Sequence, residues 1–409
     1  MLSDIITTIS LLLGSVLWVE IVRDCHHTLS HHWIPLYRLH AWHHRVFRPD
    51  LSPVSEEIYR KAHWYNDLPE ALVMLTLSLI FGTVFFFGSL PYSWMAWGGS
   101  VYALTFLIGA ITRGVGVPYA DELTDITHRQ GEFVTLPGKW FVNRPYHWRH
   151  HFDNQKAYYS GTLTLVDKLM GTALSLKRKT VAVTGASGTL GQSLLKQLYI
   201  HEAIPIAFTS KHQSISIEIE DKRLPIKTLT WQVGKELELI DELESVDILI
   251  LNHGINVYSE RTPEAINKSY EVNTFSSLRL MELFITTIRT NKDRACKEVW
   301  VNTSEAEVSP AVSPLYELSK RALGDLVTLR RLDAPCVVRK LVLGPFKSNL
   351  NPIGLMSGDL VAKHIMKAAK ADNRNIIITV NPLTFIVFPL KEFFVSLYFK
   401  LFSKKVNQI

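Results

Sequence analysis

Thr180-Val-Ala-Val-Thr-Gly-Ala-Ser-Gly-Thr-Leu-Gly-Gln-Ser-Leu194 reads as an apolar strand, a glycine-spaced turn and the opening of a helix. Val181–Thr184 carries the strand pattern, and Leu190–His201 carries the helical one. Gly185, Gly188 and Gly191 fall where a chain leaving a strand must turn sharply. Lacking side chains, they let a pyrophosphate approach the backbone, its charge resting at the helix N-terminus. A glycine triplet alone is a weak signal. Its place between strand and helix gives it weight.

Working toward the C-terminus, Ile204–Thr209, Val246–Leu251, Glu298–Asn302 and Cys336–Leu343 read as strands. Leu278–Thr290 and Tyr316–Arg331 read as helices between them. That alternation predicts a parallel, doubly wound sheet. Tyr316-Glu-Leu-Ser-Lys320 puts a phenol and an ammonium on one helix face. The ammonium is expected to lower the phenol pKa toward the working range. Ser304 follows strand 298–302 closely, Asn252-His-Gly254 follows strand 246–251, and Val272-Asn273 lies between.

This set resembles the short-chain dehydrogenase/reductase family across residues 179–350, which implies a Rossmann-type domain, expected over 178–370. By that resemblance Tyr316 is the proton donor or acceptor, Lys320 lowers its pKa and binds ribose, Ser304 orients substrate, and Asn273 organises the proton relay. Gly185, Ser187, Gly188, Gly191, Ser210, Lys211, Asn252 and Gly254 would hold the nucleotide together with Tyr316 and Lys320. The spacing is TGxxGxxG, nearer the family's extended and atypical branches. The second strand ends in Thr209-Ser210-Lys211 without an acidic residue, which favours the 2′-phosphate of NADP over NAD. The usual Asp after the third strand is replaced by Trp231-Gln232-Val233.

The other half differs in character. Hydrophobic residues are 47% of the 409, and the mean hydropathy is only +0.09, as for a chain part membrane and part soluble. Leu2–Val22 is apolar, with no basic region before it and no cleavage site after it, and reads as a membrane helix rather than a signal peptide. Ala71–Leu90 and Trp94–Ile111 are each long enough to cross a ~30 Å hydrocarbon core, and the Pro91-Tyr92-Ser93 break makes them a hairpin. Leu383–Phe402 reads as an amphipathic segment on a membrane, with Lys404 and Lys405 behind it. The net charge of +6 is scattered, so the basicity points to a membrane surface and not to nucleic acid. Cys25, Cys296 and Cys336 form no CxxC and predict no disulfide framework.

Twelve of the sixteen histidines lie in the first 151 positions. His27 and His31 form HxxxH; His40, His43, His44 and His147, His150, His151 form two HxxHH boxes flanking the hairpin. Two crossings return the chain to its starting side, so the boxes can meet. So many converging imidazoles imply at least two metal ions. His201, His212, His253 and His364 are read as ordinary residues.

The boxes resemble those of the fatty acid hydroxylase/sterol desaturase superfamily over about residues 20–172. Asp24, Leu36-Tyr37, Leu136-Pro137, Pro145, Tyr159-Ser-Gly161 and Asp167-Lys-Leu-Met-Gly171-Thr172 add to the likeness. The resemblance implies an all-α membrane domain over 1–174 with two irons, held by His27, His31, His40, His43, His44, His128, His147, His150 and His151. Glu132, His26 and His63 are further candidates. It implies O2-dependent hydroxylation or desaturation of a lipid, electrons from an external carrier, and His boxes and reductase on the cytoplasmic side. The two resemblances together predict a bifunctional lipid enzyme with a membrane-associated tail over 380–409. Alternatives are an aldehyde-processing enzyme of wax or alkane type, and a reductase whose N-terminal half only anchors it and binds lipid.

Overall fold

The computed structural model describes residues 2–88 and 90–404. Residue 89, inside the expected second span, and Lys405 lie outside the described residues. The chain divides between Ala173 and Leu174 into an all-helical unit and an α/β unit.

In the helical unit, α1 runs Leu2–His32, past the apolar stretch and into the first histidines. Trp33 is extended and ends it; Pro35 opens α2, Ile34–Val46, where its missing N–H costs nothing. Helix α3 covers Glu56–Phe86 and α4 covers Ser93–Val115. With α1 these are, among the described residues, three helices long and apolar enough to cross a membrane. Residues His63–Asp67 of α3 form a π turn. The three helices pack through small residues. Gly99 of α4 donates its N–H to Ser15 Oγ at 2.9 Å, and a Cβ there would lie 2.8 Å from the Ser15 carbonyl carbon. Val19, Val22, Met74 and Ala103 fill the seam, while Leu13, Ile80, Val84, Val101 and Ile108 point outward, as lipid-facing positions do. Helix α5, Arg144–Phe152, is capped by the Asn143 side chain, which accepts from Tyr146 N at 3.2 Å.

The α/β unit is an eight-stranded sheet in the order β3-β4-β2-β1-β5-β6-β7-β8. Its strands are β1 Thr180–Thr184, β2 Ile204–Thr209, β3 Ile215–Ile219, β4 Lys222–Thr230, β5 Ile248–Leu251, β6 Glu298–Asn302, β7 Val337–Leu343 and β8 Asn375–Ile378. All neighbours are parallel except β3 and β4. Both faces are apolar: Val181, Val183, Ile248 and Ile250 join one core, Ala182, Leu249 and Leu251 the other. Such a sheet needs helices on both sides. Helices α6, Thr189–Ile200, and α9, Gly358–Lys370, cover the first face. Helix α7, residues 263–285, and α8, Pro314–Arg330, cover the second. Helix α10 is Thr384–Phe402.

The structure departs from the sequence reading in particular places. The strand expected from Val246 begins at Ile248. The helix expected over 278–290 starts at Pro263, contains a π turn at Glu271–Phe275 and stops at Ile285. The β3–β4 hairpin, β8 and α9 were not anticipated.

Candidate active site and histidine centre

Strand order reverses between β1 and β5, so the crevice beyond their C-terminal ends is where a nucleotide fits such a sheet. Gly185 has φ 63°, and a Cβ on it would come 2.9 Å from His253 Cα. Glycine is therefore required there. Thr184 Oγ1 accepts from Asn252 N at 2.8 Å and His253 N at 3.2 Å, tying the loop after β5 to the end of β1. Ser187 Oγ accepts from Thr209 Oγ1 at 3.3 Å, tying the glycine loop to β2. Ser210 and Lys211 are exposed just beyond β2. Trp231 fills the place of the missing Asp. Its backbone N–H donates to Thr209 O at 3.0 Å, and its buried indole stands edge-on to His253 at 5.2 Å.

Tyr316 and Lys320 share a face of α8, with Lys320 Nζ 5.9 Å from the phenol ring centre. Lys320 donates to Asn302 O at 2.8 Å. Ser304 is left-handed, φ 73°, a strain that non-glycine residues keep mainly at working sites. Asn273 sits on the π turn of α7. Its Oδ1 accepts from Ile255 N at 2.8 Å, and its Nδ2 donates to Ser319 Oγ at 3.0 Å and Ile255 O at 3.1 Å. A Cβ on Gly254 would lie 3.0 Å from Asn273 Oδ1. Burial lowers Lys320 to about 8, with Glu307 opposing. Burial raises the Tyr316 phenol, and a hydrogen bond from Ser304 works against it. The lowering of the phenol pKa expected from Lys320 is not found: burial raises it, and the group that works against burial is Ser304. His253, read as ordinary, is drawn into the site: its Nδ1 lies 2.9 Å from Thr184 Oγ1, and burial, then Lys320, lowers it to about 3.

In the helical unit nine histidines gather into two groups. His27, His31, His40, His44 and His150 form one; His43, His128, His147 and His151 form the other. In the first, His150 Nε2 lies 3.0 Å from His27 Nε2 and 3.0 Å from His31 Nε2. His44 Nε2 lies 3.0 Å from His40 Nε2 and 3.3 Å from His31 Nε2. In the second, His151 Nε2 is 3.0 Å from His43, 3.1 Å from His147 and 3.2 Å from His128.

The outer nitrogens decide what these approaches mean. His27 Nδ1 donates to Tyr159 O at 2.6 Å and His150 Nδ1 to Ala157 O at 2.8 Å. Carbonyls only accept, so both Nδ1 atoms carry the proton and both Nε2 atoms present bare lone pairs to each other. Burial holds His150 near 4, so it stays neutral at physiological pH. Facing lone pairs repel unless a cation lies between them. Imidazole nitrogens about 2.1 Å from one ion and at right angles to it sit ~3.0 Å apart. The donor set fits a metal.

His40 Nδ1 meets Asn66 Oδ1 at 2.8 Å and His128 Nδ1 meets Asp125 Oδ1 at 2.5 Å, outer partners of the kind that fix an imidazole's tautomer. Asp167 shapes the loop behind His27 and His150. It accepts from Tyr146 Oη, Tyr159 N and Ser160 N at 2.8 Å each, and from Thr172 Oγ1 at 2.6 Å. Asp24 Oδ1 accepts from Gly161 N at 2.9 Å. Among the described residues His26 and His63 stand outside both groups; His26 faces Glu70 at 4.0 Å and His63 faces Asp67 at 2.7 Å. Glu132 is exposed and also stands apart. Asn66 and Asp125 were missed, since neither forms part of a histidine spacing.

Residues 179–336 match the short chain dehydrogenase family. Over 401 residues, 97% of this chain and 98% of the relative, the sequence is 61% identical to the monoglucosyldiacylglycerol epimerase of Synechocystis sp.. It is 25% identical over 162 residues, 37% of this chain and 60% of the relative, to the uncharacterized oxidoreductase YvrD of Bacillus subtilis. Among solved structures, a short chain dehydrogenase from Burkholderia cenocepacia in complex with NADP aligns over 56% of this chain and 100% of its own, at 17% identity and TM-score 0.45.

Proposed function

The chain belongs to the family of the monoglucosyldiacylglycerol epimerase, and from that premise we propose that it inverts a secondary carbinol in the sugar headgroup of a membrane glycolipid. Its C-terminal half is of the short-chain dehydrogenase type, and the chain is an oxidoreductase enzyme. The reading is carried by identity of 61% over 97% of the chain, which spans the helical half as well as the dehydrogenase half.

Inversion proceeds by oxidation of the carbinol to a ketone and reduction from the other face, so no net oxidant is consumed. Bound nicotinamide nucleotide, held by the Gly185–Gly191 loop with Asn252, Gly254 and Lys320, supplies that reversible two-electron chemistry. Ser210 and Lys211, without an acidic neighbour, favour NADP, with NAD the alternative. Tyr316 takes the hydroxyl proton in the first half-reaction and returns it in the second. Ser304 holds the substrate oxygen, and Lys320 keeps positive charge beside the phenolate. Between the halves the headgroup turns about its link to the lipid to present its second face.

The test is full-length protein in nanodiscs with a glucosyldiacylglycerol deuterated at the carbinol carbon. The expected result is an isomer of unchanged mass that keeps the label, with no stoichiometric nucleotide consumption. Absence of the isomer overturns the reading.

The facing lone pairs of His27 and His150 favour a second reading for the helical unit. There the two histidine groups hold a pair of metal ions, iron by the resemblance to the hydroxylase/desaturase superfamily. Such a pair supplies oxidising chemistry toward a lipid C–H bond, using O2 and electrons from an external carrier. The chain's part is to aim the imidazoles through Tyr159 O, Ala157 O, Asn66 and Asp125. In this reading the centre and the dehydrogenase unit face the cytoplasm, and hydroxylation or desaturation precedes the dehydrogenase step. Elemental analysis tests it: about two irons per chain are expected, and a folded, active, metal-free preparation removes it.

A further inference from the structure

Helix α10 has two unlike sides. Thr384, Phe388 and Glu392, spaced four apart, are its buried positions. Glu392 accepts from Lys340 of β7 at 2.8 Å and pairs with Arg331 at 2.8 Å, while Lys391 reaches Glu307 at 3.0 Å and Asp325 at 2.8 Å. Lys340 and Glu307 are fully buried side chains. Removing one partner from such a set leaves an uncompensated buried charge. The helix is therefore built into the α/β unit, and is no loose tail.

The remaining surface of α10 is apolar. Phe385, Ile386, Leu390, Phe393, Phe394 and Leu397 are between 42% and 62% exposed. Water does not favour such a face on a soluble domain. Lys391, Glu392 and Lys400 keep the helix from crossing a bilayer, whereas Lys400 and Lys404 suit anionic headgroups. Three bilayer-length helices in the same chain keep a lipid surface within reach.

We propose that α10 lies in the headgroup–acyl boundary of a bilayer and is the seat of the α/β unit on lipid. The seat is tied to one wall of the active site. The turn Glu305–Glu307 begins directly after Ser304; Thr384 of α10 donates to Glu305, and Lys391 binds Glu307. The consequence for catalysis rests on the lipid-substrate reading above; the seating itself does not.

The experiment uses full-length protein with Cys25→Ser, in vesicles of phosphatidylcholine and phosphatidylglycerol, spin-labelled at Phe394→Cys or, as an aqueous reference, Glu218→Cys. The expected result at 394 is frequent collision with dissolved O2 and rare collision with a water-soluble nickel chelate, the reverse of 218. Low collision with both reagents would mean a second protein copy covers the face, and frequent nickel collision would mean water does. Either overturns the proposal. A Phe393→Ser/Phe394→Ser/Leu397→Ser variant should raise KM for bilayer glycolipid on the order of tenfold, leaving a micelle-soluble short-chain analogue unaffected. Equal losses on both would overturn the link to the active site. Wild type that turns over neither substrate would count against the epimerase reading alone, since label depth needs no activity.

Discussion

Tyr316 and Lys320 divide the handling of one proton between them. Tyr316→Phe removes the group that carries it, and turnover is expected to fall by about 10²–10⁴-fold. Nucleotide affinity, measured by fluorescence titration, should fall far less than turnover. Lys320 is held near 8, below the ordinary lysine range, by burial. Its ammonium is present below that pH and lost above it. Nucleotide affinity should therefore weaken as pH rises through about 8, and Lys320→Arg, which keeps its charge, should flatten the fall. In the helical unit His150 touches two neighbours of its group at 3.0 Å. On the metal-centre reading, His150→Ala should lower the metal content of purified full-length protein by about half, with the α/β unit still binding nucleotide. An unchanged metal content would remove His150 from the ligand set.

Two elements use the same device. The π turn His63–Asp67 of α3 presents Asn66 to His40, and the π turn Glu271–Phe275 of α7 presents Asn273 to the loop after β5. A π turn inside an α-helix often marks a working position. Asn273→Ala would leave the Ile255 backbone groups unsatisfied. A loss of about 2–4 kcal/mol in denaturant unfolding is expected, with nucleotide affinity reduced as the Asn252–Ile255 loop loosens. Such turns were illegible in the sequence because the phase slip from one extra residue, over stretches this short, cannot be told from ordinary irregularity in the apolar pattern. The β3–β4 hairpin was hidden differently: Ser216, Glu218, Lys222, Arg223 and Lys227 dilute its isoleucines. The sheet strands β1, β2, β6 and β7 were legible since both faces are buried, giving unbroken apolar runs. The histidine groups were legible through their spacing. Their partners were not, because Tyr159 and Ala157 act through backbone carbonyls, which any residue supplies.

At the scale of the molecule, each unit has its own core. Ligands should therefore stabilise them separately. Nucleotide at 100 times its dissociation constant should add about 2.7 kcal/mol to the α/β unit. On the metal-centre reading, a chelator should lower only the transition of the helical unit. Calorimetry in nanodiscs would resolve the two, and a chelator that shifted both equally would contradict the separation.

His27 and His150 stand 123 positions apart and meet across 3.0 Å. During synthesis His27 emerges long before its counterpart exists, and two long apolar helices, α3 and α4, are made in the interval. The imidazole pocket therefore cannot close until most of the N-terminal half has been made. The entropy of closing so long a loop grows only slowly with its length, so the distance in sequence between the two imidazoles should be felt in the speed of folding more than in its final strength.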